Sequence, residues 1–126
     1  MAQLKFHLVS PEALLVSTDV DAVQVPGREG DFGVLPNHSP LISVLRPGIL
    51  TVETGSTAES FYVRGGFADV TPAGLTILAE FAIRTDEFGE DERAQELEIA
   101  EAALSGAASD AARLTAQSII DALQSI

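Results

Sequence analysis

Residues 27–48, GREGDFGVLPNHSPLISVLRPG, decide the fold class of this chain. Gly27, Gly30 and Gly33 recur at three-residue spacing, and Pro36, Asn37, His38, Pro40 and Pro47-Gly48 follow them. Each proline removes a backbone donor and restricts the residue before it, so no helix persists through such a stretch. Glycine reaches positive φ at little steric cost, and the three glycines predict successive tight turns between short strands. Within the stretch, 41–45 (LISVL) has the composition of a buried strand. An ordered loop of this kind in a short chain is expected to present a surface to something else.

Outward from that stretch, residues 4–8 (LKFHL) alternate apolar and polar, the period of a half-buried strand. Ser10-Pro11-Glu12 turns the chain into a second short strand at 13–16, and 23–25 forms a third. Beyond the stretch, strands are expected at 49–53, 60–63, 67–71, 75–79 and 81–83, with turns at Gly55-Ser56-Thr57 and Pro72-Ala73-Gly74. Gly65-Gly66 interrupts this run and predicts a bulge or a close backbone approach. Strands spaced every ~8–12 residues with turn signals between them predict an all-β sandwich or barrel.

Composition changes after Ile83, from Val, Thr, Gly and Pro to Ala and Glu. The chain is therefore expected to divide into a β domain, 1–84, and a helical hairpin domain, 85–126. Glu90, Asp91 and Glu92 place negative charge at a helix start. Leu97, Ala100 and Leu104 form its apolar stripe, with Glu92, Glu96, Glu98 and Glu101 over the remaining surface, and Gly106 as its stop. Ser109 or Asp110 caps a second helix with Ala112, Ala116, Ile119, Leu123 and Ile126 along one side. Two helices so closely joined fold back antiparallel, and their small alanines bury little area, so the pair is expected to be weakly held by itself.

The net charge of −12 on 126 residues argues against nucleic acid and anionic lipid as direct partners. It is uneven: 1–84 carries a net of −4 and 85–126 a net of −8. With no cysteine and only His7 and His38, neither disulfides nor a His- or thiolate-based metal site are expected, and no cofactor is implied. The amino-terminal residues lack the basic-then-apolar pattern of a signal peptide, and no run approaches the ~20 apolar residues of a membrane-spanning helix. No catalytic constellation emerges. The glycine spacing is not that of a dinucleotide site, and no phosphate-binding Gly-Lys-Ser/Thr occurs. Asp31 and His38 are conceivable as an acid–base pair, but a turn carboxylate and a backbone-capping histidine are the simpler reading. Arg64 reads as a surface or ion-pair residue, and His7 as an exposed strand residue.

The segment 25–41 (VPGREGDFGVLPNHSPL) resembles the epsilon subunit of F-type ATP synthases. The likeness continues in 45–50 (LRPGIL), 63–67 (VRGGF) and 76–80 (TILAE), and more loosely through 98–104 (EIAEAAL). The resemblance implies an all-β sandwich of about ten strands followed by a C-terminal antiparallel α-helical hairpin. It implies a non-catalytic rotor subunit that links the gamma subunit to the membrane c-ring and couples proton flow to ATP synthesis. By the same likeness Glu29 and Asp31 are candidates for c-ring contact, and Ser10 and His38 for gamma contact. The location implied is the cytoplasmic side of a bacterial inner membrane, peripherally attached, with the hairpin able to reach the alpha and beta subunits.

The helical part departs from the family. Its nucleotide motif is an aliphatic residue, Asp, two variable residues and Arg-Ala, whereas this chain has Gly89-Glu90-Asp91-Glu92-Arg93-Ala94. Arg93 is the one nucleotide ligand carried over. Inhibitory relatives use a basic second helix, but here that helix holds Arg113 alone, so self-inhibition of ATP hydrolysis is expected to be weak or absent. From another class, a stand-alone β-sandwich binding a small ligand at the glycine stretch is the alternative.

Overall fold

The structure is a computed structural model that describes residues 3–105 and 109–126. Ten strands form two five-stranded sheets. The first sheet joins β1 (Leu4–Val9), β2 (Leu14–Val20), β5 (Leu41–Val44), β8 (Phe67–Val70) and β9 (Gly74–Leu78) in the order β2-β1-β9-β8-β5. The second joins β3 (Ala22–Gly27), β4 (Gly30–Val34), β6 (Gly48–Thr54), β7 (Thr57–Arg64) and β10 (Phe81–Arg84) in the order β10-β7-β6-β3-β4. The two pack face to face as a β-sandwich, as expected.

Period-two patterning explains the core. Leu4, Phe6 and Leu8 of β1 are buried while Lys5 between them is exposed. Val23 and Val25, Leu50 and Val52, Phe61 and Val63, Ala68 and Val70, and Leu75 and Ile77 supply the facing inward positions. Each of the valine, leucine, isoleucine and phenylalanine side chains contributes roughly 1.5–3 kcal/mol on burial. Gly66 sits at the corner where the chain leaves β7 for β8, at φ +97°, and a Cβ there would run into the carbonyl oxygen of Leu78. The expected close approach at Gly65-Gly66 is therefore real.

Two expectations for the glycine stretch need correction. It is a β-hairpin rather than a series of turns: Gly27 pairs with Gly30 around Arg28-Glu29, and Gly33 lies inside β4 opposite Gln24. Only Gly30, at φ +139°, uses the positive-φ freedom of glycine there. Segment 41–45 is not a buried strand. Its residues 41–44 form an edge strand, with Ile42 and Val44 facing outward, and only Leu45 is buried. An all-apolar run reads the same whether a second sheet or an absent partner is meant to cover it.

The strands end at Arg84, and a short 3₁₀ turn (Thr85–Glu87) leads to α1 (Glu90–Ser105) and α2 (Asp110–Ser125). Ser109 caps α2 by accepting from the Ala112 N–H at 3.2 Å. Gly106, the expected stop of α1, lies outside the described residues. The helices are antiparallel: Arg93 near the start of α1 donates to the Leu123 carbonyl near the end of α2 at 2.9 Å. They share a small core of Ala100, Ile119 and Leu123, flanked by Phe88, Ile120 and Ile126. The pair lies on the outer face of the second sheet, with α2 over β6. The stripe expected on α1 is shifted. Leu97 and Leu104 are exposed, while Glu96, expected at the surface, is buried beside Ala100 one helical turn away.

Candidate interaction surfaces

The outer face of the first sheet carries a row that only strand register reveals. Val44 pairs with Phe67, Phe67 with Leu78, Leu78 with Val9, and Val9 with Leu14. Paired residues share a face, so these five apolar side chains line up across all five strands, over ~19 Å at the usual strand spacing. Leu14 is 59% exposed, Val44 51%, Phe67 39% and Leu78 37%, and Val9 is half-buried. The adjoining row, Ile42, Asp69, Thr76, His7 and Ser17, is mostly polar. Its His7 Nδ1 lies 3.0 Å from the Ser17 hydroxyl in a hydrogen bond, so His7 is a partnered, half-buried residue. A contiguous exposed apolar row rimmed by polar residues is the mark of a protein-contact face.

Ser10 and His38 sit at opposite ends of this face. Ser10 follows Val9 in a tight turn closed by the Ser10 N–H to Ala13 carbonyl bond of 2.9 Å. His38 precedes β5, where the neighbouring Asn37 N–H donates to the Pro72 carbonyl at 3.1 Å. The ring of His38 donates from Nδ1 to the Ser39 carbonyl at 2.7 Å. The two residues are not brought together; they bracket the sheet along its strands.

Glu29 and Asp31 lie on the β3–β4 hairpin, Glu29 in its turn and Asp31 just beyond. Asp31 pairs with Arg46, whose other guanidinium nitrogen donates to the Gly27 carbonyl at 2.6 Å. The turn is also tied to the first sheet, because the Arg28 N–H donates to the Val44 carbonyl at 2.8 Å. Hence the hairpin tip abuts the Val44 end of the apolar row. Asp31 and His38 have separate partners, so they do not form an acid–base pair in this arrangement.

The helical hairpin meets the second sheet through a polar contact that sequence reasoning missed. Glu96 Oε1 accepts from the Tyr62 hydroxyl at 2.7 Å and from Arg64 Nε at 2.7 Å. Burial first, and then the Glu96 carboxylate, push the Tyr62 phenol well above its ordinary pKa. The available signal was spacing, since Glu96 precedes Ala100 by four residues on one helical stripe. Arg93 donates to Leu123 and lies over the Phe88 ring, 5.9 Å from its centroid. A cation at that point also suits the negative end of α2.

Residues 3–85 match the family described as ATP synthase, Delta/Epsilon chain, beta-sandwich domain. The chain is 44% identical over 125 residues to the ATP synthase epsilon chain of Parvibaculum lavamentivorans, spanning 98% of this chain and 95% of that one. It is 59% identical over 83 residues to the ATP synthase epsilon chain of Caulobacter vibrioides, covering 66% of this chain but 96% of that protein. Among solved structures it is similar to a chain in the Euglena gracilis mitochondrial ATP synthase, OSCP/F1/c-ring in rotational state 1. That likeness has a TM-score of 0.73 at 28% identity, over 98% of this chain and 79% of the other. A likeness to a chain of the Tetrahymena thermophila mitochondrial ATP synthase central stalk/c-ring, TM-score 0.60 at 14% identity, is one of fold.

Proposed function

The chain belongs to the epsilon-chain family of ATP synthases, and from that premise we propose that it is a non-catalytic subunit of the central rotor stalk. Residues 1–84 form the coupling unit, joining the gamma subunit to the c-ring so that proton flow drives ATP synthesis. The observation that carries this reading is the apolar row from Val44 to Leu14, which is suited to a helical partner laid across the strands. Gamma occupies that face, with Ser10 and His38 at its two rims contributing packing and hydrogen bonds. The β3–β4 turn faces the c-ring. There Glu29 offers its carboxylate outward, and Asp31 acts chiefly by bracing the turn through Arg46.

The subunit works peripherally, on the cytoplasmic side of a bacterial inner membrane. No helix among the described residues is long and apolar enough to cross a membrane. Residues 85–126 form a second unit that reaches the alpha and beta subunits without strongly inhibiting hydrolysis. Its net charge of −8 supports this, as does a relative in which 83 matched residues make up 96% of the protein. Arg93 contributes to nucleotide binding only weakly, because its guanidinium must first leave the Leu123 carbonyl.

Affinity purification of the tagged chain from detergent-solubilised host membranes tests the proposal. Gamma, alpha, beta and c subunits are expected to co-purify, and to be lost with Phe67→Asp. Recovery of a partner-free monomer, or full recovery of partners with the aspartate in place, overturns it.

A further inference from the structure

We propose that Asp69 is the anchor by which the apolar face selects its partner, and that the segment of gamma laid across the row carries a basic side chain, arginine by preference, set against that carboxylate. The inference deepens the rotor reading above and rests on it, since the occupant of the face is the one proposed there.

Asp69 lies on β8 two residues after Phe67, so both point outward from the first sheet. Ile42 and Thr76 are its cross-strand neighbours, and Val44 and Leu78 flank Phe67 in the row beside it. Of the nine carboxylates in residues 1–84, seven are exposed, and Asp21 and Asp69 are half-buried. Asp21 accepts from the Gly55 N–H at 2.6 Å and from the Gln3 amide at 3.2 Å. Asp69 has no hydrogen-bond or ion-pair partner among the described residues. The acid on the other flank of the row, Glu80, has Arg64 at 4.0 Å. Lys5 shares the outer face with Asp69 but stands two strands and one row away, ~12 Å at the usual sheet spacing and too far for an ion pair.

A helix with its side chains is ~10–12 Å across, whereas neighbouring rows on one sheet face are only ~7 Å apart. A helix centred on the apolar row therefore overhangs Asp69 and takes water from it. A carboxylate that loses water and gains no counter-charge opposes binding. A cation on the flank of the helix removes that penalty, with its apolar stem lying over the row and its head on the carboxylate. Arginine fits best, because its planar fork reaches both carboxylate oxygens. The row supplies contact area, and Asp69 decides which apolar helix is accepted. A second copy of this chain is the poorer occupant, since its own face brings the same unpaired carboxylate and a net charge of −12.

Binding of the tagged chain to the host F1 complex purified without this subunit tests the proposal. Asp69→Asn keeps the shape and removes the charge, so it is expected to bind roughly tenfold or more weakly, with a smaller salt dependence. Asp69→Glu keeps the charge and is expected to retain most of the affinity. Because the carboxylate has no partner in the free chain, the Tm of Asp69→Asn alone should not fall below that of the parent. Parental affinity in Asp69→Asn, or equal losses in the asparagine and glutamate variants, overturns the anchor. A lowered Tm in Asp69→Asn means that the carboxylate serves the fold, and it also overturns the anchor. Phe67→Asp, measured alongside, separates the two readings. If it loses binding while Asp69→Asn does not, the gamma face stands and the anchor falls; if it binds like the parent, both fall.

Discussion

Arg46 holds the carbonyl oxygen of Gly27, with its guanidinium nitrogen 2.6 Å away. Because the second nitrogen of the same group pairs with Asp31, one side chain fastens the β3–β4 turn at two points. The turn proposed to meet the c-ring is thus braced from the corner between β5 and β6, outside its own hairpin.

The two contacts are not of equal worth. The Asp31 side chain is 65% exposed, so the ion pair is expected to contribute less than ~1 kcal/mol, and Asp31→Asn to be nearly silent in urea unfolding. Arg46→Ala also removes the charged donor from the Gly27 carbonyl, at a cost of about 1.5–3 kcal/mol. Amide exchange should accelerate at Arg28 and Gly30 in Arg46→Ala and hardly at all in Asp31→Asn.

Tyr62 makes stability sensitive to alkali. Its phenol is raised above the ordinary value of 10.0 in the folded state, so the folded chain binds that proton more tightly than the unfolded one. The contribution is therefore complete below pH ~10 and is lost as pH rises from there toward the folded pKa. The chain has one tyrosine, one lysine and no cysteine, which leaves few other groups to titrate in that window. Tyrosinate absorbance should lag the ordinary phenol curve. The urea midpoint of the parent chain should fall more steeply above pH 10 than that of Tyr62→Phe.

Gly66→Ala tests the corner between β7 and β8. An alanine must hold φ near +97° and displace the Leu78 carbonyl, which belongs to a strand of the apolar row. A loss of at least ~2 kcal/mol is expected, together with a lowered Tm. Gly55→Ala, at φ +61° in an open turn with nothing near its added Cβ, should cost clearly less.

Deletion of residues 86–126 addresses the inhibitory role directly. The sandwich core does not include the helices, so the truncated chain is expected to fold and to assemble. ATPase activity of the complex should change little. A several-fold rise on deletion would show that the acidic hairpin inhibits after all.

Much of the fold was legible because its determinants are local. Alternation in 4–8, the turn residues at 55–57 and 72–74, and the change to Ala and Glu after residue 83 each depend on a few adjacent residues. The Ser109 cap, the apolar side of α2 and the close approach at Gly66 were legible for the same reason. Misreadings arose where environment, not spacing, decides. LISV at 41–44 has no marker that tells an edge strand from a buried one, and Glu96 differs from Glu98 and Glu101 only in which way its helix faces.

By itself, then, the sequence determined the strand and helix content, the β-then-α order and, through four motifs in register, the family. Strand pairing decided the rest. The apolar row joins Val9, Leu14, Val44, Phe67 and Leu78, and Glu96 meets Tyr62 and Arg64 from more than thirty residues away. The physical reason is that periodicity reports which side of an element is apolar, whereas register and docking set which sides meet. Those depend on the packing of the whole chain, and no window of sequence contains it.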